Sequence, residues 1–165
     1  MDNVLRGADI QGVTGSPSTA EKVQNSQEIG VSRGGRTTKI HAIVGDNVKP
    51  ICLMLSEGNA ADCSVAVDIL SVTTIAGKVI LGDKAYGTRE IRDYILRNGA
   101  TYCIPPKSNA KEPWVYDAQL YKNRNVVERF FNRIKQFRAV ATRYDKLAKR
   151  YFSFVLLAAI MILLS

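Results

Sequence analysis

The sequence predicts an α/β fold in which helices pack on a mixed β-sheet. Three features carry that expectation. An alternating, β-branched pair of segments at residues 37–44 and 50–56 reads as a hairpin. A short apolar run at 78–81 ends in Gly82-Asp83 and suits a strand buried on both faces. Helical apolar spacing then alternates with short strands to the end of the chain.

The elements follow in order. Residues 12–36 are rich in Gly, Ser, Thr, Asn and Gln and read as a long loop. After the hairpin, Ala61, Val65, Ile69 and Val72 fall at helical spacing and predict a helix over 59–72. Thr88 is a candidate N-cap for a helix reaching Arg97, which Asn98-Gly99 stops. Residues 101–104 form another short strand, ended by Pro105-Pro106. Residues 107–117 are a polar, Pro-containing connection. A long helix is expected from Gln119 to Phe137, and a second at the C-terminal end. The apolar run 152–164 is shorter than the ~20 residues that span a bilayer, so it reads as a buried core helix and no membrane partner is expected.

Composition narrows the function. The chain of 165 residues has a formal net charge of +8, which favours a polyanionic partner, nucleic acid before membrane. A basic protein without such a partner explains the charge as well. Cys52, Cys63 and Cys103 fit neither a disulfide framework nor a zinc knuckle and read as free thiols in a reducing cytoplasm. His41 is the single histidine, so a metal site would rest on oxygen ligands. The first residues lack the apolar core of a signal peptide.

The sharpest pattern lies on the long helix. Tyr121, Arg124, Glu128 and Lys135 are spaced by three, four and seven, and at ~100° per residue they share an arc of roughly 60°. Val127, Phe130, Phe131, Ile134 and Phe137 make a separate apolar stripe. A carboxylate among cations is what metal-dependent phosphoryl transfer needs: the carboxylate for the ion, the cations for phosphates. A solvated face with Glu128 paired to Arg124 or Lys135 explains the same spacing. Asp83 adds weight, because an acid at the C-terminal end of a buried strand lies where α/β active sites gather. Its plain alternative is an N-cap.

The helix row fits Tyr-x2-Arg-x3-Glu-x6-Lys, and with VVERFFNRIKQFRAVATRYDKL around it the chain resembles the insertion-sequence DDE transposases of bacteria. LGDKAYGT resembles the segment around that family's second aspartate, and VSRGGRTTKIHAIV the stretch between its first two catalytic strands. The resemblance implies a ribonuclease-H-like mixed sheet flanked by helices. It implies three acidic residues binding two Mg²⁺ or Mn²⁺, and DNA transposition by phosphodiester cleavage and strand transfer.

Asp83 and Glu128 match the second and third acids. Asp2 is the best match for the first and Asp9 a poorer one, since neither follows an apolar strand. The first strand is therefore expected to be incomplete. Residues 1–36 are assigned to a poorly defined strand remnant and loop, and 37–165 to the catalytic domain. The missing upstream helices suggest a truncated or frameshift-separated reading frame. Expected DNA contacts are Tyr121, Arg124, Lys135, Arg133, Arg33, Arg36 and Lys84. Expected partners are double-stranded DNA, a second copy as a homodimer on DNA, and an upstream reading-frame product, in the cytoplasm at the nucleoid. Two other classes remain: a metal-dependent nuclease of this fold, and a non-catalytic DNA-binding or dimerising remnant.

Overall fold

The computed structural model describes residues 3–11, 30–32 and 35–165, with side chains from Thr37 onward. Its strands are β1 (Asn3–Gln11), β2 (Gly30–Ser32), β3 (Gly35–Val44), β4 (Pro50–Glu57), β5 (Val79–Gly82) and β6 (Thr101–Cys103). Its α-helices are α1 (Asp62–Ser71), α2 (Arg89–Arg97), α3 (Ala118–Tyr121), α4 (Asn125–Ile134), α5 (Arg138–Ala141) and α6 (Ala148–Leu164).

All six strands form one sheet. β1 lies centrally, antiparallel to β3 and parallel to β5, and β5 is parallel to β6. β2 and β4 pair with different stretches of β3. The antiparallel strands β4, β3 and β1 continue into the parallel strands β5 and β6, which makes the ribonuclease-H-like arrangement, with β2 an added short strand on β3.

The sheet is covered on both faces, and strand parity explains which residue goes where. Ile40, Ala42, Val44 and Leu81 pack with Val127, Phe130 and Ile134 of α4 and Tyr151, Val155 and Ile162 of α6. Ile43 and Ile80 pack with Ile69 of α1 and Ile91 and Ile95 of α2. Alternate residues of β3 and β5 therefore enter opposite cores, which is why residues 79–81 read as uniformly apolar. Phe130 is fully buried, and truncating it to alanine would cost about 3–5 kcal/mol.

Four expectations need correction. The N-terminal strand is more extensive than its residues suggest: β1 has nine residues and pairs with β3 over residues 4–11 and with β5 over residues 3–5. Its mixed polarity hid it, because tertiary pairing overrides a weak local preference. Part of the supposed loop is sheet, since Gly30–Ser32 pairs with the start of β3. The long helix is not continuous: α3 passes through a 3-10 turn, Lys122–Arg124, into α4, which ends at Ile134. Phe137 is then extended and partly exposed, outside the apolar stripe.

The fourth correction concerns α6. Tyr151, Val155, Ala158, Ala159 and Ile162 are buried, but Phe154, Leu157, Ile160 and Met161 on the other side are exposed. The helix is half core and half apolar surface. Among the described residues, no helix is long and apolar enough to cross a membrane.

Candidate active site at the strand end and helix start

Asp83 is held at the C-terminal end of β5 by its neighbours on both sides. Gly82 lets the backbone run close to Ile104, where a Cβ would stand 3.3 Å from that side chain. After Asp83 the chain makes the 3-10 turn Lys84–Tyr86, and Asp83 Oδ1 accepts from Ala85 N at 3.3 Å. Tyr86 is buried and anchors the turn in the core. The N-cap reading of Asp83 is thus correct, and it leaves the other carboxylate oxygen free to turn elsewhere.

That oxygen faces α4. Asp83 Oδ2 lies 3.6 Å from Arg124 Nη1, and Arg124 Nη2 donates to Glu128 Oε1 at 2.9 Å. Two carboxylates from distant parts of the chain meet on one planar guanidinium. The two contacts and the width of that fork hold them within roughly 9 Å of each other. The packing of Leu81 with Val127 and Phe130 in one apolar cluster brings the strand end to the helix start. Glu128 lies in the first turn of α4, where the helix dipole favours negative charge.

The break in the helix shapes the site. In a 3-10 turn, residues three apart eclipse one another. Arg124 accordingly lies over the Tyr121 ring, its Cζ 5.5 Å from the centroid. Burial pushes the Tyr121 phenol up; the Arg124 cation opposes that rise and the Asp83 charge adds to it. Tyr121, Arg124, Glu128 and Asp83 form one cluster.

The other expected contacts lie apart from it. Lys135 is exposed at the C-cap of α4, about 10 Å along the helix axis from Glu128. Arg133 hydrogen-bonds the Ser165 hydroxyl at the end of the chain, roughly 140° around α4 from Glu128. Lys84 is exposed beside Asp83. The backbone of Arg36 pairs with Val31. Asp2 and Arg33 lie outside the described residues. Asp9 lies on β1 opposite Lys39, whose Nζ pairs with Asp62 at 2.9 Å. Among the described residues, no three His, Cys, Asp or Glu gather as a metal-binding group.

Arg143, one of the ten basic residues in the stretch 121–150, has a different role. It is 1% exposed and donates to Thr38 Oγ1, and to the carbonyls of Asp145 and Lys146 at 2.9 Å each. It ties the turn before α6 onto β3.

Models of the transposase DDE domain match residues 9–113 and, in a second version, residues 80–165. The first alone takes in more than half of the chain. The chain belongs to the DDE transposase family. A Brucella ovis protein described as a transposase for insertion sequence element IS6501 is 36% identical over 127 residues, 76% of this chain and 97% of that relative. Two solved transposase structures also match: a piggyBac synaptic complex with hairpin DNA (TM-score 0.46, 10% identity, 67% of this chain) and a Mos1 paired-end complex with the left transposon end (0.39, 12%, 95%). This DDE transposase domain spans 24% of the first of those chains and 55% of the second.

Reading the sequence missed one wall of the site. Lys107, Ser108 and Asn109, taken as plain connection, line a cleft with Asp83. Their signal was positional: they follow a strand parallel to β5, so both loops rise from the same edge of the sheet.

Proposed function

We propose that the chain carries out DNA transposition by metal-dependent cleavage and strand transfer, with Asp83 and Glu128 as two of its metal-binding carboxylates. The observation that carries this reading is their convergence on Arg124. Two hard oxygen donors gathered at one guanidinium suit Mg²⁺ or Mn²⁺, which keep waters and need few protein ligands. Asp2, just before β1, is proposed as the third carboxylate. When bound, a pair of such ions stabilises charge on the attacking and leaving oxygens of an in-line displacement and lowers the pKa of the attacking water.

The chain's own residues do the rest. Arg124 fixes both carboxylates and keeps their charges compatible before an ion arrives. The Tyr121 ring beneath it limits the guanidinium's freedom. Lys84 beside Asp83, Lys135 and Arg133 further along α4, and Arg33 and Arg36 earlier in the sequence are proposed to hold phosphates and so supply affinity without sequence choice. A homodimer on double-stranded DNA, with an upstream reading-frame product as a further partner, belongs to the same reading, as does a nucleoid location.

The test is incubation of the purified chain with Mn²⁺ and DNA carrying the element's ends. Cleavage and joining should be lost in Asp83→Asn and Glu128→Gln while both variants keep the native Tm within a few degrees. Undiminished cleavage in either variant defeats the assignment.

A further inference from the structure

Asp83 has a second open side, away from Arg124. There it borders a cavity of about 320 Å³ lined by Asp83, Lys84, Ala85, Lys107, Ser108 and Asn109. That volume is at the small end of the ~300–1,000 Å³ typical of ligand pockets. One wall is the turn that follows β5, the other the connection between β6 and α3.

The second wall is built in. Trp114 Nε1 donates to the Ile104 carbonyl at 2.7 Å, and Cys103 Sγ donates to the Asp117 carbonyl at 3.2 Å. Ala110 N donates to the Lys107 carbonyl at 3.0 Å and closes a turn around Ser108 and Asn109. The Trp114 ring carries the Arg92 guanidinium 3.8 Å from its centroid. It also presses on Gly87, where a Cβ would come within 3.1 Å of the indole. One aromatic ring therefore braces residues 107–109 against the segment that bears Asp83 and Lys84.

The lining chemistry selects the ligand. Two ammonium groups, a hydroxyl and a side-chain amide offer donors, and Ala85 is the single apolar side chain. The lysine stems and Ala85 give the cleft an aliphatic lining, over which the ammonium, hydroxyl and amide heads are the groups that orient a ligand. A cation finds one carboxylate against two lysines. The fit is to an acceptor-only anion whose charge the two lysines outweigh. We propose that this cleft seats a DNA phosphodiester neighbouring the one that is cut, with Lys107 and Asn109 as binding residues. The inference deepens the proposed function and rests on Asp83 marking the reaction centre.

The probe is a fluorescein-labelled duplex oligonucleotide titrated with the full chain across a range of salt concentrations. Lys107→Gln should weaken binding at least several-fold and lower the slope of log K against log salt by about one. Asn109→Ala, which keeps the charge, should weaken binding with the slope unchanged. Lys49→Gln, the same charge loss in the exposed turn before β4, should alter affinity far less. Trp114 is the only tryptophan, so an unchanged emission spectrum confirms that the loop stays docked in each variant. If Lys107→Gln and Asn109→Ala match the native chain, or Lys107→Gln merely matches Lys49→Gln, the cleft does not bind phosphate. That result leaves the catalytic reading intact if Asp83→Asn still abolishes cleavage. Conversely, an Asp83→Asn chain that still cleaves overturns the catalytic reading while the Lys107 result judges the cleft.

Discussion

Asp83 at the end of β5 and Arg124 at the start of α4 lie 3.6 Å apart, joined across the seam between sheet and helix. Arg124 is the better buried of the two, and its second nitrogen is already committed to Glu128. If these carboxylates hold a divalent ion as proposed, the shared guanidinium supplies the balancing positive charge in its absence.

From this follows the behaviour of Arg124→Ala. Without divalent ions the loss of stability should stay below about 1 kcal/mol, because both carboxylates are substantially exposed and can be hydrated. Added Mn²⁺ should raise the Tm of this variant more than that of the native chain, since the competing guanidinium is gone. Scanning fluorimetry with and without Mn²⁺ reads this directly; equal responses would mean the two carboxylates do not share an ion.

Arg143 should behave in the opposite way. Its removal takes one donor from Thr38 and one from each of two backbone carbonyls, and opens a void beneath the Tyr151 ring. Arg143→Ala should cost about 3 kcal/mol or more, whereas the exposed Lys149→Ala should stay within about 0.5 kcal/mol. Urea unfolding monitored by circular dichroism separates the two.

Tyr151 sets an alkaline limit. Its hydroxyl donates to the Val140 carbonyl at 2.9 Å, and burial holds the phenol well above its ordinary range despite the nearby Arg143 cation. The folded pKa exceeds the unfolded value of about 10. The contribution is therefore complete below that pH and is lost as pH rises through the folded pKa, because only the unfolded chain readily releases the proton. Tyr151→Phe should cost about 1 kcal/mol at neutral pH and show a shallower fall above pH ~10. Denaturation midpoints measured across alkaline pH decide the matter.

DNA affinity should fall steeply with salt, as expected for a chain of net charge +8 that neutralises phosphates. Lys135→Ala should weaken binding to every sequence alike and reduce the salt slope by about one. An affinity indifferent to salt would point instead to an interaction module that does not handle nucleic acid.

The sequence by itself determined the local elements and the chemical character of the chain. The strand at residues 37–44, the capped helix after Thr88 and the strand before Asp83 were legible because periodicity, caps and turn residues act over a few neighbours. The Arg124–Glu128 pair was legible too, as one of two partners open to Glu128 at helical spacing. What only the tertiary structure decided depends on contacts between distant segments. β1 owes its strand state to β3 and β5 on either side, a long-range pairing that its own mixed residues do not announce. The 3-10 turn that stacks Arg124 on Tyr121 rests on a change of helical pitch that a uniform 100° wheel cannot show. The meeting of Asp83 with Arg124, and the bracing of residues 107–109 by Trp114, required the fold to close, because burial and loop closure act on the whole chain at once.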